Sequence, residues 1–168
     1  MKFVEVVPGE AGEVNGLARK IWPLVYSDMI SQGQIDYMLD WMYAPETIRE
    51  EIEEENIVYL LIEAQESRVG FVSFGPLLSG APCCIHKIYV APEFHRRGIG
   101  RQALKEISRR AINADSSCLE LRVNRGNERA INFYESCGFQ IIREDCADIG
   151  GGFVMDDYIF RKPLLKMH

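Results

Sequence analysis

Apolar and polar residues recur along this chain with two periods, and the changes of period mark out its elements. Lys2-Phe3-Val4-Glu5-Val6-Val7 reads as a strand over about 2–7, and a helical spacing follows over about 11–27. Two more helices are predicted near 31–42 and 45–55, one opening at Ser31 and the other after Pro45, both helix-start signals. The runs Ile57-Val58-Tyr59-Leu60-Leu61-Ile62 and Val69-Gly70-Phe71-Val72-Ser73-Phe74 are β-rich and joined by Gln65-Glu66-Ser67-Arg68, the pattern of a hairpin. A strand over about 84–90 leads into a glycine turn and a helix to about 113. Cys118 to Val123 alternates as a strand, and a helix over about 127–136 ends at Gly138, a natural left-handed cap. Phe139 to Ile142 and Met155 to Phe160 close the sheet, joined by a loop holding Gly150-Gly151-Gly152.

This order predicts an α/β (α+β) architecture, with a mixed, mostly antiparallel central sheet flanked by helices. No repeat, low-complexity tract or linker interrupts the chain, so one domain is expected over residues 1–168. Hydrophobic residues make up 47% and charged residues 26%, the profile of a globular chain rather than a disordered one. A net charge of −6 argues against a general nucleic-acid binder and suits a cationic small partner. The first residues lack the pattern of a signal peptide and no apolar run has membrane-spanning length, so a cytoplasmic protein without a membrane partner is expected. The five cysteines are odd in number and scattered with no CxxC pair, which favours reduced thiols and no metal site.

The first chemistry lies in His95-Arg96-Arg97-Gly98-Ile99-Gly100-Arg101. A strand, a tight glycine turn and a helix start leave a row of free backbone N–H groups at the positive end of a helix, which suits a phosphate. The glycines let the chain turn without a Cβ, and the arginines add charge-assisted donors. The phosphate-loop pattern GxxxxGK[ST] and the dinucleotide pattern GxGxxG are both absent, so the ligand is left open by this turn alone.

The second motif is Asn127-Glu128-Arg129-Ala130-Ile131-Asn132-Phe133-Tyr134-Glu135-Ser136-Cys137-Gly138-Phe139. Read by spacing, Ala130 and Phe133 are the buried face of an amphipathic helix. With the glycine turn before it, the pair resembles the GNAT superfamily of acyl-CoA-dependent N-acetyltransferases over residues 85–140. That resemblance implies acetyl-CoA as co-substrate, with Arg96, Arg97, Gly98, Ile99, Gly100 and Arg101 cradling its pyrophosphate. The pantetheine arm would pair with main-chain atoms of Ile88 and Val90, Asn127 would bind the arm, and Tyr134 would sit by the sulfur. The family's Gln or Arg three residues before the first glycine is His95 here.

Acyl transfer needs a neutral amine, a donor for the oxyanion and an acid for the departing thiolate. The N–H of Val90 is the candidate oxyanion donor and Tyr134 the candidate acid. The glutamate that many relatives carry on the strand before the turn is missing, leaving His86 or a water chain as candidate base.

A looser likeness to the PaiA-type branch, associated with polyamines and diamines, lies in Tyr26 to Leu39, His86 to Val90 and Asp148 to Tyr158. It implies a small amine acceptor. Asp36, Tyr37 and Trp41 are the candidate acceptor residues, with Asp40, Asp156 and Asp157 as further acidic groups. A homodimer is implied by resemblance alone. The alternatives are acetylation of a protein, peptide or antibiotic amine, and a CoA-binding sensor without turnover.

Overall fold

The computed structural model describes residues 1–165. Its sheet has seven strands: β1 (Lys2–Glu5), β2 (Val58–Ala64), β3 (Ser67–Phe74), β4 (Cys83–Val90), β5 (Cys118–Asn124), β6 (Gln140–Gly150) and β7 (Phe153–Pro163). Five helices accompany them: α1 (Ala11–Tyr26), α2 (Gln32–Met42), α3 (Pro45–Glu53), α4 (Ile99–Asn113) and α5 (Glu128–Ser136). The strand order is β1-β2-β3-β4-β5-β7-β6, and every neighbouring pair is antiparallel except β4 and β5. The expected mostly antiparallel sheet is therefore found, with one parallel pair at its centre.

Local signals set the helices. The Ser31 hydroxyl accepts from the Gln34 N–H at 3.1 Å and caps α2, and Pro45 occupies the first turn of α3. In α1, Val14, Ala18, Ile21 and Trp22 form one buried stripe. Helices α1, α2 and α3 share one apolar core with one face of the sheet, and α4 and α5 pack on a second core around Leu104, Leu121, Phe139 and Phe160. Buried Lys87 ties α3 to β4 through an ion pair with Glu51 at 3.1 Å.

Two expectations are corrected at strand ends. The first strand stops at Glu5, because a short 3-10 turn at Pro8–Glu10 follows. The glycine loop is only the tip of a long hairpin, since β6 runs to Gly150 and pairs with β7 as far as Gly150 opposite Phe153. Strand β6 is an edge whose residues stay largely exposed, so it carries no apolar alternation to announce it.

The centre of the sheet is where the structure opens. β4 and β5 pair only from Cys83–Ile85 against Leu119–Leu121. Beyond those residues β4 continues on β3 alone and β5 on β7 alone, so the two strands part. His86 sits at the point of parting: Ser73 faces Lys87 and Phe74 faces Ile85, which makes His86 the extra residue of a β-bulge.

Candidate active site

A cleft of about 510 Å³ fills the opening between β4 and the starts of α4 and α5. The backbone at its rim is built by local conformation. Arg96 has φ 63° and Gly98 has φ 75°, so the chain enters the left-handed region twice before α4 begins. A Cβ on Gly98 would meet no atom within 4 Å, so space is open in front of this turn. Gly100 serves another purpose, because its Cβ would lie 2.9 Å from Cζ of Phe133; its absence lets α4 approach α5. The first bond of this helix turn runs from Gln102 N–H to the Gly98 carbonyl at 3.1 Å, leaving the N–H groups of Ile99, Gly100 and Arg101 without a helical acceptor.

The side chains add positive charge. Arg96, Arg101 and Arg129 line the cleft, whereas Arg97 does not and instead lies over the Phe94 ring at 5.0 Å. Arg129 carries no signal of its own on the sequence, where it is one of several charged residues inside the helix motif. His95 locks the turn to the end of β4: its Nε2 donates to the Val90 carbonyl at 2.6 Å. Burial lowers the His95 pKa, so the ring is neutral, and its buried Nδ1 has no partner.

The edge of β4 completes the wall. Ala91 N–H bonds the Val69 carbonyl at 2.8 Å, and Gly70 pairs with Val90 and Val72 with Ile88. By strand alternation, Tyr89 and Ala91 direct their amides to β3, so Ile88 and Val90 direct theirs into the opening. Asn127 is the N-cap of α5, its Oδ1 accepting from Ala130 N–H at 3.1 Å, which leaves its Nδ2 as the donor at the cleft. Tyr134 is buried at 6% exposure, with its ring against Phe133, Phe139 and Phe160. Burial drives its phenol pKa far above the ordinary value, so the hydroxyl keeps its proton.

A second, smaller cavity of about 70 Å³ lies on the α1–α2 side of the opening. Tyr89 lines both cavities, and its hydroxyl meets that of Tyr26 at 2.8 Å. Trp22, Tyr43, His86 and Asp157 complete much of the wall. Helix α2 presents Gln34, Met38 and Met42 to this space. Asp36, Tyr37 and Trp41, expected there, are not brought to it. Tyr37 packs against Phe153 and donates to the Ile149 carbonyl at 2.8 Å, Asp36 accepts from Gln32 at 2.8 Å, and Trp41 is exposed. His86 lines the small cavity and not the larger cleft, with its Nε2 donating to the Gly75 carbonyl at 2.8 Å.

A profile of the acetyltransferase (GNAT) family matches residues 22–139, well over half of the chain and both walls of the opening. The chain belongs to the GNAT family. Among curated relatives, it is 32% identical over 66 residues to the thialysine N-epsilon-acetyltransferase of Mus musculus, a match spanning 39% of each protein. It is 40% identical over 60 residues to the peptidyl-lysine N-acetyltransferase YiaC of Escherichia coli (strain K12), covering 36% of each. The matches thus span under two fifths of these relatives' lengths. Among solved structures, the PaiA N-acetyltransferase of Thermoplasma acidophilum in complex with coenzyme A superposes with a TM-score of 0.80 at 22% identity, covering 96% of this chain and 98% of that one. A GCN5-related N-acetyltransferase of Rhodopseudomonas palustris gives a TM-score of 0.81 at 16% identity, over 97% and 95% of the two chains. At these identities the structural matches establish the GNAT fold alone.

Within this GNAT fold, Asp157 had a visible acidic signal, while Gln34 and Met42 had none. Their contribution depends on the rotation of α2 about its own axis, which the spacing of its apolar residues leaves open.

Proposed function

We propose that this GNAT chain transfers an acetyl group from acetyl-CoA to a small primary amine by direct attack, without a covalent intermediate on the protein. The observation that carries this is the parted edge of β4. Ile88 and Val90 offer main-chain groups to a cleft that ends at the glycine turn, an arrangement suited to an extended amide-bearing arm with a pyrophosphate at its tail. The free N–H groups of Ile99 to Arg101, with Arg96, Arg101 and Arg129, would hold the pyrophosphate. Asn127 would hold the arm, and Val90 N–H would polarise the thioester carbonyl. Tyr134, protonated and beside the cleft, would return a proton to the thiolate.

The acceptor would enter from the other side. The small cavity is walled by four aromatic rings and holds one buried carboxylate, surroundings that suit the narrow end of an alkylammonium such as a diamine or polyamine. The named activities of the thialysine and peptidyl-lysine relatives fit the same acceptor chemistry, a primary amine on an unbranched chain. Steady-state release of coenzyme A thiol, with spermidine, a diamine, lysine and a lysyl peptide as acceptors, tests this. A small diamine or polyamine is expected to give the highest kcat/KM; release that no amine accelerates would reject the activity.

A further inference from the structure

Direct attack leaves the nitrogen's proton in need of a destination, and the two strands of the opening differ in what they supply. From Cys83 to Val90, β4 has no carboxylate, and the Nε2 of His86 is committed to the Gly75 carbonyl. Across the opening, β7 presents Asp157, paired with Asn124 in the β5–β7 register. Its residue exposure is only 3%, yet it lines the small cavity together with Tyr26 and Tyr89, the hydroxyl pair at the boundary with the larger cleft. Among the described residues its ion pair is with Arg122 Nε at 3.3 Å, and Arg122 also pairs with Asp145, so its charge is shared.

The geometry points to Asp157 as the proton acceptor for the attacking amine, a catalytic residue supplied by β7 in place of a base on β4. This rests on the acyl-transfer function proposed above. Burial is what makes a carboxylate competent here. An ammonium and a carboxylate are both penalised by desolvation, and moving one proton between them removes both charges at once. The groups facing Asp157 act in both directions: Arg122 on β5 lowers its pKa, Asp156 raises it, and Tyr26 of α1 with His86 and Tyr89 of β4 share the cavity. Burial outweighs Arg122, and the carboxyl lies above its ordinary value.

The step balances as follows. The ammonium gives one proton to Asp157, which later passes it to solvent. The neutral nitrogen attacks the thioester carbon, a C–N bond forms, and the C–S bond breaks with its electron pair going to sulfur. Tyr134 protonates the sulfur and regains its proton from the second one lost by nitrogen.

The test compares Asp157→Asn with the unmodified protein, using propylamine and trifluoroethylamine at about pH 7.5. Propylamine is an ammonium at that pH, whereas trifluoroethylamine is already largely neutral. The variant is expected to lose roughly 100-fold in kcat/KM with propylamine but under about 5-fold with trifluoroethylamine. Coenzyme A affinity should stay within about 2-fold, showing an intact fold and donor cleft. For propylamine alone, the plateau of the kcat/KM profile should give way in the variant to an acid limb that climbs towards the pKa of the free ammonium. Equal losses with the two amines, no loss with propylamine, or a plateau that persists unchanged would each overturn the assignment. Spermidine and a diamine serve as reference acceptors: if no amine accelerates coenzyme A release by the unmodified protein, the acyl-transfer function falls and this assignment with it, a result distinct from failure of the variant alone.

Discussion

At the scale of single residues, Tyr134 shows how one side chain can satisfy two demands. Its ring is packed among three phenylalanines, the residue lines the larger cleft, and burial holds the proton on its hydroxyl. Packing and chemistry can therefore be separated. Tyr134→Phe keeps the ring, so its melting temperature and coenzyme A affinity should match the unmodified protein, while kcat falls by roughly 100-fold. Unchanged turnover would remove Tyr134 as the acid. The two motifs made the positions of Asn127 and Gly98 legible on the sequence, because a helix cap and a left-handed turn depend on neighbours within one turn of chain, whereas the contact of Gly100 with Phe133 spans two helices. Asp36, Tyr37 and Trp41 were legible only as a helix rich in aromatic and acidic groups. Which of its faces meets the opening is decided by Tyr37 lying against the β6–β7 tip, a contact 112 positions away along the chain.

At the scale of elements, the opening depends on close approach between β3 and β4. A Cβ on Gly70 would stand 2.2 Å from the Tyr89 carbonyl oxygen, a main-chain atom that cannot turn aside. Gly70→Ala should therefore displace β4 against β3, costing about 1–3 kcal/mol in a denaturant titration and weakening coenzyme A binding together with stability. At Gly100 the obstruction is a side chain, Phe133, which can move. Gly100→Ala should cost less stability than Gly70→Ala but disturb coenzyme A binding more for each kcal/mol lost. Comparison of paired melting and calorimetric titrations of the two variants checks this. The helices and the first hairpin followed from caps and periodicity. The length of β6 did not, because an exposed edge strand needs no apolar face.

At the scale of the whole molecule, five tyrosines surround the opening or lie in the core beside it: Tyr26, Tyr43, Tyr59, Tyr89 and Tyr134. Burial raises the pKa of all five, that of Tyr26 to about 12. An unfolded tyrosine loses its proton near pH 10, while these keep theirs when folded, so the folded chain binds more protons and stability falls as pH rises above about 10. For Tyr26 alone, the rise to about 12 corresponds to roughly 3 kcal/mol lost across that range. Melting curves should therefore be flat from about pH 7 to 9 and fall steeply beyond about pH 10. A melting temperature that holds to pH 12 would show that these hydroxyls are hydrated in the folded chain.

The parted strands at the centre of the sheet tie these scales together, and amide hydrogen exchange at Ile88 and Val90 tests their role most directly. Facing the opening without a ladder partner, these two amides should exchange faster than those of Tyr89 and Ala91. Saturating acetyl-CoA should slow both by at least about 10-fold while leaving Tyr89 and Ala91 little changed. Exchange at Ile88 and Val90 that coenzyme leaves unaltered, despite tight binding, would contradict docking of the acetyl donor along the edge of β4.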